Sequence, residues 1–122
     1  MRPIKFRAKH HKTGLWIEGA FIPATANTPP MIYTPAGDCH AVNEDTVGQF
    51  TGLQDVMKHE IFEGDIAVHE NKSFIVVYQD DAFELYDFDG WESLYYAVNT
   101  DDITIIGNIH DNSELAPKEG AK

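Results

Sequence analysis

The sequence predicts a mainly β fold built from short strands. About seven apolar runs are separated by turn-forming residues at intervals of about ten residues. The clearest run, Ser73–Tyr78, is rich in the β-branched and aromatic side chains that suit a pleated sheet. Two other runs, Val47–Leu53 and Ile61–Val68, each carry a glycine where a strand must bend. This pattern indicates a β-sandwich or a small barrel.

At the N-terminus, alternating side chains predict a β-hairpin within residues 3–22. Apolar and basic residues alternate from Ile4 to Lys9, which is the period of a strand with one buried face. Thr13-Gly14 supplies a turn, and Leu15–Ile22 supplies the second strand. We expect the basic side chains of the first strand to face solvent.

The segment after the hairpin is predicted to be mostly loop. Thr25–Pro30 ends in two adjacent prolines, which cannot donate hydrogen bonds in a strand ladder. Met31–Tyr33 is a short apolar run, and Pro35–Asp38 favours a turn. Residues 38–46 show no clear pattern.

In the C-terminal half, Phe83–Tyr86 is predicted to pair with Ser73–Tyr78 across a turn at Asp80-Asp81. Trp91–Val98 fits either one face of a short helix or a strand, and we favour the helix. Ile103–Ile106 is predicted to be the closing strand.

Together these elements predict a small SH3-like β-barrel over residues 47–109. The N-terminal hairpin packs beside it, and the fold contains at most one short helix. The polar residues 116–122 are expected to form a mobile tail.

Length and composition are typical of one domain, which we place at residues 1–115. With 122 residues, 43% of them hydrophobic, the chain is long enough to bury one core. It contains no apolar run near the roughly 20 residues that cross a bilayer, and Met1–Ala20 lacks a signal-peptide core. Cys39 is the single cysteine, which agrees with a reducing compartment. We therefore expect a cytoplasmic protein, and only the family resemblance given below implies a bacterial host.

The net charge of −11 is unevenly distributed. Five of the nine basic residues precede the first acidic residue, Glu18, so residues 13–122 carry 4 basic and 20 acidic residues, a net charge of −16. No lysine or arginine lies between Lys72 and Lys118. Because proteins bind duplexes by neutralising phosphates with basic residues, this distribution argues against a large nucleic-acid interface.

The central stretch and both ends of the chain resemble one protein family. Gln49–Leu53 and Glu60–Ile66 are similar to the central signature of the YopX-like proteins, a family of phage and prophage origin. Ile4–Ala8 resembles the family's opening strand, and Ile106–Leu115 resembles its closing motif. The resemblance implies a small β-rich domain and a phage setting, and it implies no established activity.

The sequence departs from the family pattern at two places. Lys9-His10-His11 stands where the family often has an aromatic and an acidic residue after the opening strand. The turn Asp55–Lys58 contains no glycine, although the family commonly has Asn-Gly there.

One candidate metal motif is His59-Glu60-x-x-Glu63, which resembles part of the zinc motif His-Glu-x-x-His. The second histidine is missing, and the segment leads from a turn into a strand, where residues four apart are distant. We interpret it as a solvated turn.

A second candidate is Asp87-x-Asp89-Gly90, which resembles the centre of a calcium-binding loop. Aligned on Gly90, the first ligand position is Leu85 and the bidentate glutamate position is Tyr96, so the motif fails. We predict a polar β-turn.

Cys39-His40 could join His10 and His11 in a zinc site, or act as a nucleophile and its base. Adjacent ligands are unusual, a second cysteine is missing, and no third residue would orient the base. We favour a loop thiol beside an exposed imidazole. The sequence thus predicts no catalytic, cofactor-binding or metal-binding residue.

The leading functional hypothesis is a non-catalytic, phage-derived accessory protein that binds a protein partner or forms a homo-oligomer. It rests on the family resemblance and on the acidic region Asp80–Asp102. A sharper version is mimicry of nucleic acid, in which carboxylates take the place of phosphates.

Two other hypotheses belong to different functional classes. One is a nucleic-acid-binding barrel that uses the basic N-terminal strand, although lysines there also suit the wet face of an edge strand. The other is a metal-dependent hydrolase that uses the histidines. Seven aromatic side chains of the C-terminal half are interleaved with carboxylates, so we expect them to serve the core rather than stack on bases. They are Phe74, Tyr78, Phe83, Tyr86, Trp91, Tyr95 and Tyr96.

Overall fold

The computed structural model describes residues 4–100 and 102–118. The chain divides into two compact units, Met1–Phe50 and Thr51–Lys122. Residues 119–122 of the predicted tail lie outside the described residues, so the mobile tail stays a prediction, as does the single domain over residues 1–115.

The first unit is an antiparallel sheet with strand order β4-β3-β2-β1-β5. Its strands are β1 (Phe6–Lys9), β2 (Trp16–Ile22), β3 (Met31–Tyr33), β4 (Cys39–Ala41) and β5 (Gly48–Gln54), and a 3-10 helix spans Glu44–Thr46. The boundary between the units falls within β5. β1 and β2 form the predicted hairpin, with Ala8 opposite Ile17, whereas residue 3 lies outside the described part of the chain. The core of this unit contains Ala8, Ile32 and Val42.

The basic side chains of β1 do not simply face solvent as predicted. The Arg7 guanidinium lies 4.6 Å from the centre of the Trp16 ring, and the Lys9 ammonium lies 5.5 Å from the same ring. Lys5 lies over the Phe50 ring and forms an ion pair of 3.5 Å with Glu18. These contacts leave all three cations half-buried, because their apolar stems and planar groups pack well on aromatic faces.

The second unit contains a short strand pair and a five-stranded antiparallel sheet. β6 (Glu60–Phe62) pairs with β5, and the larger sheet has the order β10-β9-β8-β7-β11. The remaining elements are β7 (Asp65–His69), β8 (Lys72–Gln79), β9 (Ala82–Asp87), β10 (Gly90–Ser93), α1 (Leu94–Asn99), β11 (Ile103–Asn108) and a 3-10 helix at Ser113–Leu115. The prediction of a mainly β protein with one short helix is confirmed, although no closed barrel is seen among the described strands.

The structure corrects the interpretation of residues 91–98 as one helix. Residues Gly90–Ser93 form β10, which pairs with β9, and the helix begins only at Leu94. The Ser93 hydroxyl accepts a hydrogen bond from the Tyr96 amide and so caps the helix. The strand alternative was therefore right for the first part of the segment, and the helix alternative was right for the second part.

The core of the second unit lies on one face of the five-stranded sheet. Side chains of paired residues point to the same face, and Val76 pairs with Leu85 while Ala67 pairs with Phe74. Leu94 and Ala97 of α1 are buried in the same cluster. None of the helices in the described residues is long and apolar enough to cross a membrane.

The two glycines of the central signature adopt the left-handed backbone that favours glycine. Gly52 has φ of 85° and Gly64 has φ of 93°. Gly64 lies in the turn between β6 and β7, where its amide donates to Val76 and its carbonyl accepts from Ile109. The predicted bends in both apolar runs are therefore present.

A buried carboxylate organises the turn between β5 and β6. Asp55 accepts hydrogen bonds from the amides of Met57 and His59 at Oδ1 and from the amide of Ile105 at Oδ2, all at 2.8–2.9 Å. Burial alone would raise the pKa of Asp55, but these donors outweigh it and hold the pKa below its usual value. Asp55 thus joins the turn to β11.

We expect Asp55→Asn to destabilise the protein by about 2–3 kcal/mol, because the new amide donor faces the Ile105 amide. Since the folded pKa is lowered, the carboxylate stabilises the fold above pH of about 4 and loses this contribution as the pH falls through the folded pKa. Urea denaturation at pH 7 and pH 3 would measure both effects. The control is Asp45→Asn at an exposed carboxylate, and an equal effect of both variants would contradict this role of Asp55.

The turn Asp55–Lys58 also contains a strained residue. Lys58 has φ of 67°, a conformation that a Cβ atom disfavours. We expect Lys58→Gly to stabilise the fold by about 0.5–1 kcal/mol, measured by urea denaturation. Lys58→Ala keeps a Cβ atom and should give no such gain; equal stabilisation by both variants would show that the lysine side chain, not the backbone, is responsible.

Candidate functional site

Polar side chains gather at one margin of the core face of the five-stranded sheet. His69 lies opposite Lys72, and Glu92 lies opposite the core residue Leu85. We call this margin the polar rim, and it consists of His69, Glu70, Lys72, Asp87, Asp89 and Glu92. It lines a cavity of about 270 Å³.

Two tight turns position the polar rim. Glu70 and Asn71, between β7 and β8, both have positive φ angles, of 52° and 65°, which is typical of a two-residue turn whose twist matches the strands. The turn between β9 and β10 is held by the Asp87 carboxylate, which accepts from the Asp89 amide at 2.8 Å. Both turns bring side chains from separate strands to the same end of the sheet.

The strongest charge pair of the polar rim joins Lys72 and Asp87. The Lys72 ammonium lies 2.9 Å from the buried Asp87 carboxylate and 3.9 Å from Asp89. Burial would raise the pKa of Asp87, but the bond from Lys72 and the amides of Asp89 and Gly90 lower it overall. The same bond raises the pKa of Lys72. Both residues therefore stay charged over a wide pH range.

His69 is a second buried member of the polar rim, with 3% of its side chain exposed. Its Nδ1 lies 2.8 Å from the backbone oxygen of Asp102. Its Nε2 lies 3.0 Å from Glu70 Oε1 and 3.8 Å from Glu92 Oε1. The imidazole is thus held between a carbonyl and two carboxylates.

A second cavity, of about 560 Å³, adjoins the polar rim. It shares Lys72, Asp87 and Asp89 with the first cavity. Its other lining residues are Ser73, Phe88 and the segment 114–118. Its wall contains positively charged, negatively charged and apolar side chains.

Three aromatic rings form an exposed group at the same end of the sheet, which we call the aromatic cluster. The Tyr86 ring lies 4.5 Å from the Trp91 ring and 5.5 Å from the Phe88 ring, measured between centroids. Phe88 and Trp91 are each 47% exposed. Trp91 pairs with Tyr86 in register, so both point to the face opposite the core. The prediction that the aromatic rings of this half belong to the core is wrong for Trp91 and for three tyrosines that are 48–68% exposed, Tyr78, Tyr95 and Tyr96.

The structure places His59 before β6, Glu60 at its first position and Glu63 in the turn that follows it. His59 is exposed, and its Nδ1 lies 3.4 Å from Asp55. No group of three metal-ligating side chains that includes these residues is found in the described part of the chain. Asp87, Asp89 and Gly90 form the predicted polar turn, in which Lys72 lies against the carboxylates.

The histidines of the first unit do come together. The His10 ring lies 5.3 Å from the His11 ring and 5.5 Å from the His40 ring. His40 also contacts the Asp38 carboxylate at 2.9 Å. Cys39 is exposed, and its thiol lies 3.5 Å from the Met31 sulfur. The Cys39 thiol thus packs toward a thioether, while the imidazoles form a surface group.

Comparison with known proteins identifies the family. A family model described as YopX protein matches residues 5–116. The chain belongs to the YopX family. A structure described as that of protein EF1440 from Enterococcus faecalis has a similar fold, with a TM-score of 0.60, 23% identity, and coverage of 94% of this chain and 99% of that chain. No match was found among the curated proteins compared.

Sequence reasoning missed the polar rim of this YopX protein. His69 and Glu92 are distant in the chain and belong to strands that do not pair with each other. Neither residue forms part of a recognisable motif with the other. Only the hairpin order of β7 to β10 brings them together.

The Lys72–Asp87 pair allows a direct test of the polar rim. We expect Lys72→Met to lower the urea midpoint of unfolding, because it leaves a buried carboxylate without its cation. Adding Asp87→Asn should recover part of the loss. Lys118→Met, at an exposed lysine that lines the adjoining cavity, is the control. A Lys72→Met protein as stable as this control would show that the pair is unimportant.

Proposed function

We propose that this YopX protein is a non-catalytic module that binds a basic protein segment through the aromatic cluster. The observation that supports this proposal is the exposure of two large rings, Phe88 and Trp91. They lie in the segment 73–117, which contains no lysine or arginine. Exposed groups of large aromatic side chains are enriched at protein interfaces.

The charges near the aromatic cluster favour a cationic partner. Asp89 lies between Phe88 and Trp91 in the sequence, and Glu84 precedes Tyr86 by two residues in β9 and so shares its face. Lys72 lies 3.9 Å from Asp89 and offsets part of this charge. Between Lys72 and Lys118 the sequence contains no other lysine or arginine.

Arginine suits such a surface better than lysine. A guanidinium group stacks on the face of tryptophan or tyrosine and can bond two carboxylate oxygens at once. We therefore propose an arginine-rich segment of a phage or host protein as the partner. Mimicry of nucleic acid is one form of this proposal, because phosphate-binding proteins also present arginines.

The proposal includes the SH3-like arrangement of residues 47–109. Strands β7 to β10 are consecutive both in the chain and in the sheet, and β11, which follows α1, pairs with β7. This strand order supports the SH3-like arrangement. A last strand that pairs with the first is what a small barrel requires. A phage-encoded accessory role and self-association belong to the same proposal.

The nucleic-acid alternative has less support. Lys5, Arg7 and Lys9 would have to leave their aromatic contacts in order to reach phosphates. Phosphate binding also gains little from cations that are already paired.

We expect a fluorescent arginine-rich peptide to bind the protein, and Trp91→Ala to weaken the binding by about tenfold or more, which corresponds to roughly 1.4 kcal/mol. Fluorescence anisotropy would measure this. The control is Tyr33→Ala, at an aromatic residue of the first unit that is also half exposed.

Two results would contradict the proposal. One is absence of binding to arginine-rich, lysine-rich and neutral peptides alike. The other is equal binding by the Trp91→Ala and wild-type proteins. If Trp91→Ala instead changes the molar mass measured by light scattering, the aromatic cluster serves self-association rather than a basic partner.

A further inference from the structure

The tautomer of His69 in its neutral form is fixed by its surroundings. A backbone carbonyl can only accept a hydrogen bond, so Nδ1 must carry a proton to bond the Asp102 oxygen at 2.8 Å. The neutral imidazole then presents a lone pair at Nε2. Because His69 is almost fully buried, this lone pair has a fixed direction.

The lone pair points toward negative charge. Glu70 Oε1 and Glu92 Oε1 lie 3.0 and 3.8 Å from Nε2, and an ionised carboxylate offers only acceptors. Three acceptors facing one another repel unless a positive species lies between them. Lys72 lines the same cavity, but its ammonium bonds Asp87 at 2.9 Å. A metal ion can bind all three acceptors at once.

The distances fit a metal ion. Nitrogen and oxygen ligands lie about 2.1 Å from Zn²⁺, so two ligands of a tetrahedral ion are about 3.4 Å apart. The observed separations of 3.0 and 3.8 Å lie on either side of this value, and all three ligand atoms lie within 4.8 Å of one another. The Glu92 side chain is 43% exposed and can adjust its position.

We propose that His69, Glu70 and Glu92 bind a divalent transition-metal ion of the Zn²⁺ class. An imidazole ligand favours such ions over Mg²⁺ and Ca²⁺, which prefer oxygen. The bond from Nδ1 to a backbone carbonyl is the usual support of a metal-binding histidine. The cavity beside the site leaves room for water at the remaining positions.

The proposed ligands are not members of the aromatic cluster, although Trp91 also lines the cavity beside the site. Glu92 pairs with Leu85 and points to the core face, whereas the adjacent Trp91 points to the opposite face. A bound ion would connect the turn between β7 and β8 with strand β10. In the sheet, β10 lies two strands away from β8. It would therefore stabilise the edge of the sheet.

The test uses full-length protein without a histidine tag, stripped of metal with a chelator. Isothermal titration with Zn²⁺ at pH 7 should show one ion bound per chain, with a rise in melting temperature, and Mg²⁺ should not compete at equal concentration. Co²⁺ in place of Zn²⁺ should give visible absorption bands that report the coordination number.

Two variants test the ligands, and two others serve as controls. His69→Asn keeps a donor for the Asp102 carbonyl but removes Nε2, and Glu92→Gln removes an exposed ligand with little effect on the fold. Each should weaken Zn²⁺ binding by about 100-fold or more. Asp89→Asn removes a charge from the same cavity without removing a ligand and should have little effect. His40→Gln controls for the histidines of the first unit.

Four results would overturn the proposal. The first is absence of stoichiometric Zn²⁺ binding by the wild-type protein. The second is wild-type affinity in both His69→Asn and Glu92→Gln. The third is equal weakening by Asp89→Asn, which would indicate general attraction of cations. The fourth is loss of binding in His40→Gln alone. None of these results bears on peptide binding by the aromatic cluster.

Discussion

The second unit depends on the buried carboxylate of Asp55. It accepts amides from its own turn and from Ile105, fifty residues later, so it fixes where β11 enters the sheet. The Val56 amide adds a bond to the Ile103 carbonyl in the same place. Ile103 in turn pairs with His69, and the preceding residue, Asp102, supplies the carbonyl that orients the imidazole. A turn near the start of the unit thus determines the geometry of the polar rim.

The five-stranded sheet separates two kinds of chemistry by its pleat. Residues of even and odd position in β10 point to opposite faces, so Glu92 joins the polar rim while Trp91 joins the aromatic cluster. The charged side chains of the polar rim are paired and partly buried, so their positions relative to one another are fixed. The cluster holds exposed rings among carboxylates, which makes it suited to a partner that brings its own positive charge.

Much of the fold could be predicted because its signals are local. The alternation in β1, the β-branched run in β8 and the glycines at positions 52 and 64 each reflect a constraint within a few residues. The helix prediction for Trp91–Val98 was only half correct. β10 is too short to show a periodic pattern, and it is stabilised by its pairing with β9. The basic residues of β1 were misjudged since their aromatic partners, Trp16 and Phe50, come from other strands.

The sequence by itself determined the β class, the family and the acidic composition. Tertiary structure alone decided the grouping of His69 with Glu70 and Glu92, the exposure of Trp91 and the burial of Asp55. The physical reason is distance along the chain. Periodicity and turn chemistry act between near neighbours, whereas these groupings depend on strand order and register, which are set only when the sheet assembles.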